Sequence, residues 1–172
     1  MSFSSPRLIE PAERGAWLRL IRTKRIGPHS FWSLLDRFDS AVEALAALPD
    51  LSLRGGAKNP LTPFSSDLAE QEYRQLRSIG GSLLTAADTV YPPLLRQIND
   101  PPPVLSVLGQ TDQLARPAIA MVGARNASTN GARFASKLAE GLAAENFSIV
   151  SGLARGIDAA VHASTVKTGT VA

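Results

Sequence analysis

At 172 residues and 44% apolar content, the chain can build one medium domain or two small ones with a packed core, which excludes disorder of the whole. Its 18 Lys and Arg against 15 Asp and Glu leave a formal charge of +3, too mild a balance to diagnose a nucleic-acid partner by itself. The lack of any Cys excludes disulfides, thiolate catalysis and Cys-based metal sites, and the two histidines, His29 and His162, lie too far apart in sequence to suggest a local zinc cluster.

Fourteen of the 18 basic residues are Arg. Guanidinium forks grip phosphate bidentately, although a GC-rich coding bias gives the same skew. Cut at Gly80, eleven basic residues face nine acidic ones before it and seven face six after it, so neither half is strongly basic. No apolar run approaches the ~18 residues needed to span a bilayer. Met1–Pro6 lacks the basic-then-apolar order of a secretory signal, so a cytoplasmic protein with no membrane span is expected.

In chain order, residues 8–62 read as a compact unit of short helices. Trp17, Leu18, Leu20 and Ile21 share one helical face, and Phe31, Trp32, Leu34, Leu35 and Phe38 form a second apolar stripe after Gly27-Pro28. Ser40 followed by Glu43 is a capping-box pattern that opens a third helix through Val42, Ala44, Leu45 and Leu48, which Pro49 is expected to end. Gly55-Gly56 and Asn59-Pro60-Leu61-Thr62-Pro63 carry the breakers of a linker.

The second unit, residues 65–172, opens with a helical stretch from Asp67 to Arg77. A short strand near Gly80–Thr85 follows, then a turn at Tyr91–Arg96 and an apolar run, Val104–Leu108, that reads as a buried strand. From there the pattern alternates: strand at Ala118–Val122, helix at Ala132–Glu145 with Phe134, Leu138 and Leu142 on its inward face, strand at Phe147–Val150, helix at Ile157–Lys167, and a further strand beginning at Thr170. This is the grammar of a parallel sheet with crossover helices. Such a sheet needs cover on both faces, so the fold reads as incomplete at Ala172 and the chain as part of a longer protein.

In sheets of this kind, ligands bind where the strand ends meet the following loops and helix N-termini. The loop Gly123–Gly131 follows one strand, with Gly123 allowing close backbone approach, Ser128, Thr129 or Asn130 available to cap the helix, and Arg125 supplying a fixed charge. A dinucleotide fingerprint wants Gly where this loop has Arg125 and Ser128. The Arg therefore suits an externally docked phosphate, such as a nucleic-acid backbone, or simply a solvated loop. Ser151–Asp158 repeats the design after the next strand, with Ser151, Gly152, Arg155 and Gly156. Side-by-side strands would bring both loops to one edge as an anion pocket.

Asp158 at the first turn of a helix reads as a dipole-stabilising carboxylate ahead of a catalytic acid. His162, one turn further, is placed for a local Asp–His contact, with no Ser or Cys nucleophile specified beside it. No aromatic platform for bases is evident near either loop, because Phe134 and Phe147 read as core.

These residues resemble the DNA-processing protein A (DprA/Smf) family, whose pattern pairs a G-[SA]-R-x-x-S loop with an S-G-x-A-x-G-I-D loop and a nearby His. The matching positions are Gly123, Ala124, Arg125 and Ser128, then Ser151, Gly152, Ala154, Gly156, Ile157, Asp158 and His162. Tyr91-Pro92, Leu95, Ile98, Asp100-Pro101-Pro102, Val104-Leu105 and Gly109 are similar to the family's lead-in. Arg25-Ile26-Gly27-Pro28 followed by Leu34–Ser40 resembles the SAM-like or helix-hairpin-helix module the family often carries. Its Gly-turn amides, with Lys24 and Arg25 beside them, would serve as a secondary DNA contact; a helical protein-interaction domain is the other reading.

The resemblance implies an α/β chain, with a SAM-like helical domain ahead of an incomplete Rossmann-like parallel sheet. It implies a protein that binds single-stranded DNA without turnover or cofactor and helps load RecA during natural transformation. Gly123, Arg125, Ser128, Ser151, Gly152 and Arg155 are then the expected DNA-binding residues. In the family the chain continues through more strands, often to a winged-helix-like end, with a homodimer in the full-length protein. The alternative is a Rossmann-like nucleotide enzyme of the nucleoside-monophosphate hydrolase kind, which needs a Gly-Gly-x-Gly-Thr loop; Gly80-Gly81-Ser82 does not supply it.

Overall fold

The computed structural model describes residues 9–172, as two compact units that divide at Gly109 and Gln110. The reading of residues 1–6 as lacking a secretory signal lies outside the described residues.

In the first unit, helices α1 (Pro11–Arg22), α2 (Pro28–Phe38) and α3 (Ala41–Arg54) bury one shared core. Trp17 and Phe31 are fully buried, and with Trp32 they form three edge-to-face ring pairs with centroids 5.1–5.6 Å apart. That geometry is worth about 0.5–1.5 kcal/mol per pair beyond area burial. The Ser40 hydroxyl accepts from the Glu43 amide at 3.1 Å, as the capping pattern predicts.

Pro49 does not end α3. The helix runs on to Arg54, and the turn after the proline is pinned by the Ser52 hydroxyl, which donates to the Pro49 carbonyl at 2.7 Å and accepts from the Leu61 amide. The proline lacks the amide that would donate to the Leu45 carbonyl, and the Ser52 bond closes the turn after it without replacing that donor.

Helix α4 (Ser66–Ser78) is tied to α1 by the bidentate Arg22–Glu72 pair. Strands β1 (Gly81–Thr85) and β2 (Val104–Leu108) form an antiparallel ladder within this same unit, with the turn α5 (Pro93–Arg96) between them. Val104–Leu108 was expected to be a buried strand. It instead alternates between half-buried and exposed positions, because a two-stranded antiparallel ladder needs only one covered face. Arg14 on α1 grips Asp88 after β1 with bonds of 2.6 and 2.7 Å, while Asp88 also accepts from the Thr85 amide and hydroxyl.

In the second unit, a 3-10 turn (Thr111–Ala115) leads to the parallel strands β3 (Ala118–Ala120), β4 (Ser148–Val150) and β5 (Thr170–Val171), ordered β3-β4-β5. Helices α6 (Thr129–Ala144) and α7 (Ile157–Thr165) are the connections, and they pack on one another. This is the expected strand–helix grammar, and the α/β class is as read from sequence.

The inward face of α6 differs from expectation. Ala135, Ala139 and Ala143 are buried against Ile149 and Val161, Leu142 packs at their margin, and Phe134 and Leu138 face solvent. An alanine stripe lets α6 lie close to its neighbours, close enough for the Ser136 hydroxyl to donate to the Ala160 carbonyl on α7. The bulkier stripe beside it is turned out.

Candidate nucleic-acid interface

The loop after β3 and the loop after β4 emerge from adjacent parallel strands whose register pairs Ala120 with Val150. The Met121 amide continues the ladder by donating to the Val150 carbonyl at 2.9 Å, so both loops leave from one sheet edge. This is the side-by-side placement the sequence predicts.

The two loops are fastened to each other by residues shared with the motifs. Gly156 has φ +88°, and a Cβ there would lie 2.3 Å from the Ala124 carbonyl oxygen and 2.5 Å from that of Arg125. The Ile157 amide donates to the Ala124 carbonyl at 3.2 Å. The Ile157 side chain fills the space that a Cβ on Gly123 would need, 2.6 Å from its Cγ1. Gly123 is therefore required by loop-on-loop packing, a reason different from the close strand approach that its place in the sequence suggests.

Ser151 is 6% exposed, and its hydroxyl donates to the Met121 carbonyl at 2.7 Å. It stitches the strand ends together; it does not face outward. Gly152 is exposed, and a Cβ there would come within 3.1 Å of Asp158 Oδ2. Asp158 is 5% exposed and accepts from the Gly152 and Ala154 amides at 3.2 and 3.4 Å, so this carboxylate shapes the second loop from the first turn of α7.

The Asp158–His162 contact expected from their spacing does not form. The Thr170 hydroxyl donates to the Ile149 carbonyl at 2.9 Å, so at its 2.7 Å contact with His162 Nδ1 it accepts. His162 is thus drawn to β5, with the proton on Nδ1.

What projects from this frame is basic. Arg125 in the first loop and Arg155 in the second are both exposed, and neither has a carboxylate partner among the described residues. Ser128, also exposed, caps α6 by accepting from the Gly131 amide at 3.1 Å, which leaves its own proton free to donate. The positive end of the 16-residue α6 dipole opens at the same place. Two unpaired guanidiniums beside a helix N-terminus make an anion-binding edge.

The secondary residues belong to the first unit. Lys24 and Arg25 are exposed on the turn between α1 and α2, where Arg25 takes φ 69°, and Gly27 is the N-cap of α2 with no side-chain cap bond. Its first-turn amides are left free of a side-chain acceptor, as a hairpin phosphate contact requires.

Sequence reasoning missed the Gly156–Ala124 and Gly123–Ile157 contacts that join the loops, and the outward turn of Phe134. The pattern Ala135, Ala139, Ala143 was the available signal for the latter. Among the described residues, no group of His, Cys, Asp and Glu could hold a metal ion, and no helix is long and apolar enough to cross a membrane.

The family described as DNA recombination-mediator protein A matches residues 82–172, and the DprA-like N-terminal HHH domain matches residues 11–74. Protein Smf of Synechocystis sp. is 33% identical, over 91% of this chain and 42% of its own length. DNA processing protein DprA of Streptococcus pneumoniae is 43% identical, over 74% of this chain and 45% of its own. The chain spans less than half the length of these curated relatives. An X-ray structure of DNA processing protein A from Streptococcus pneumoniae superposes with a TM-score of 0.65 at 28% identity, covering 92% of this chain and 56% of that one. The chain belongs to the DprA/Smf family of DNA-processing proteins.

Proposed function

We propose that this chain binds single-stranded DNA along the edge formed by the loops after β3 and β4. The observation that carries this is the pair of exposed guanidiniums, Arg125 and Arg155, held without carboxylate partners among the described residues on two loops locked together by Gly156 and Ile157. Phosphates are their natural counter-charges. Gly152 presents a bare backbone beside them, and Ser128 offers a hydroxyl at the N-terminus of α6.

The binding is non-enzymatic. Asp158 turns its Oδ2 to the Gly152 and Ala154 amides and His162 its Nδ1 to Thr170, and their remaining polar atoms, Oδ1 and Nε2, are buried. Neither is placed as an acid or base toward the open edge. From the sequence resemblance we further propose that the whole protein is a cytoplasmic homodimer that helps load RecA on the bound strand in natural transformation, with Lys24, Arg25 and Gly27 as a second DNA contact.

The test is a salt titration of oligo-dT binding. Affinity should fall steeply with salt, with a log–log slope near −0.7 per phosphate contacted, and single strands should outcompete duplex of equal length. Binding that is absent at low salt, or equal for duplex and single strand, overturns the proposal.

A further inference from the structure

Phe134 on α6 is 70% exposed, although it is the largest apolar side chain of its helix. Leu138, one turn further, is also exposed, and Lys137 stands three residues on from the ring at helical neighbour spacing, with Arg133 one turn before Lys137 on the same side. A shallow groove of about 620 Å³ runs along the neighbouring flank of the same helix from the cap residue Ser128, lined by Arg133, Ser136, Lys137 and Glu140, with Phe134 outside it across Lys137. Glu140 is the single opposing charge there.

Phe134 stands six positions beyond Ser128. That is about 9 Å along the helix axis, or two to three nucleotide steps at the ~3.4 Å spacing of a stacked strand. Six residues also turn about 240° round the axis, so the ring stands on the outward flank beside Lys137, and a strand that keeps its phosphates on Arg133 and Lys137 as it leaves the N-terminus of α6 would turn its bases outward onto the ring. Two cations beside one solvent-facing aromatic match the chemistry of single-strand surfaces, in which charge follows the backbone and rings stack on the bases.

We propose that Phe134 is a base-stacking platform, with Lys137 and Arg133 as phosphate contacts, extending the two-loop site along α6. This rests on the single-strand reading of that site. Stacking is tolerant of sequence because every base has a π-face, so the platform adds affinity for a strand without selecting its bases.

The test uses the intact chain and oligo-dT, with variants Phe134→Ala, Phe134→Trp and Lys137→Ala. Phe134→Ala should weaken binding about tenfold and leave the salt slope unchanged. Lys137→Ala should lower the slope by about 0.7. Phe134→Trp should keep the affinity, and its added emission, over that of Trp17 and Trp32, should be quenched by oligo-dT.

Wild-type affinity in Phe134→Ala, or an added indole that oligo-dT does not quench, overturns the proposal. An added indole already blue-shifted before DNA is supplied also overturns it, since the ring is then covered by protein. The Phe134→Trp reading stands even if Phe134→Ala fails to fold. Arg125→Ala separates the two levels: if it weakens binding while Phe134→Ala does not, only the platform fails; if neither does, the two-loop reading fails as well.

Discussion

The backbone of Gly156 passes so close to Ala124 that a Cβ on the glycine would lie 2.3 Å from the alanine carbonyl oxygen. Gly156→Ala must therefore move one loop off the other, and at φ +88° it also adds backbone strain of about 1–3 kcal/mol. The expected outcome is a lower thermal midpoint together with weaker oligo-dT binding, read by calorimetry and fluorescence anisotropy. Unchanged binding in a folded Gly156→Ala protein would mean that the loop junction does not position the DNA contacts.

Asp88 sets an acid limit on the stability of the helical unit. Burial raises its carboxyl pKa, but the hydrogen bonds from Arg14 and from the Thr85 amide and hydroxyl, with the Arg14 charge, bring it below the ordinary Asp value. A depressed folded pKa contributes stability that is present above the unfolded value of about 3.9 and lost as pH falls through the folded one. Asp88→Asn should cost about 1–3 kcal/mol at neutral pH and flatten the loss of stability below about pH 4, as followed by urea melts across pH. An acid limb as steep in Asp88→Asn as in the parent protein would contradict this.

How much was legible before folding depended on how local the determining contact is. The two loops could be read because their glycines, arginines and the cap Ser128 act within a few residues of one another and beside a strand end. The fate of Ser151 could not, since its partner Met121 is thirty residues away. Phe134 and Ala135 each begin an i, i+4 stripe on α6, so periodicity alone did not decide which stripe faces inward; the close fit of α6 against α7 did. Pro49 read as a stop because the Ser52 hydroxyl that holds the next turn is set by tertiary contact with Leu61.

Tyr91 sets the alkaline limit. Its ring is fully buried, its hydroxyl donates to the Pro102 carbonyl at 2.7 Å, and burial pushes its pKa up to about 12, with the Arg96 charge pulling weakly the other way. An acid held neutral in the fold contributes stability that is fully present below the unfolded pKa of about 10 and lost as pH rises toward the folded value. Tyr91→Phe should be less stable at pH 7 by about 1 kcal/mol, and its stability should fall less between pH 10 and 12. A Tyr91 phenol titrating near pH 10 in the folded protein, followed at 295 nm, would contradict the assignment.

DNA binding at the two-loop edge depends most directly on Arg125. Its guanidinium is exposed and unpaired among the described residues, so Arg125→Ala should leave the unfolding free energy within about 0.5 kcal/mol of the parent. The same change should weaken oligo-dT binding about tenfold and reduce its salt slope by about 0.7. An Arg125→Ala protein with unchanged affinity and unchanged salt slope would contradict the account.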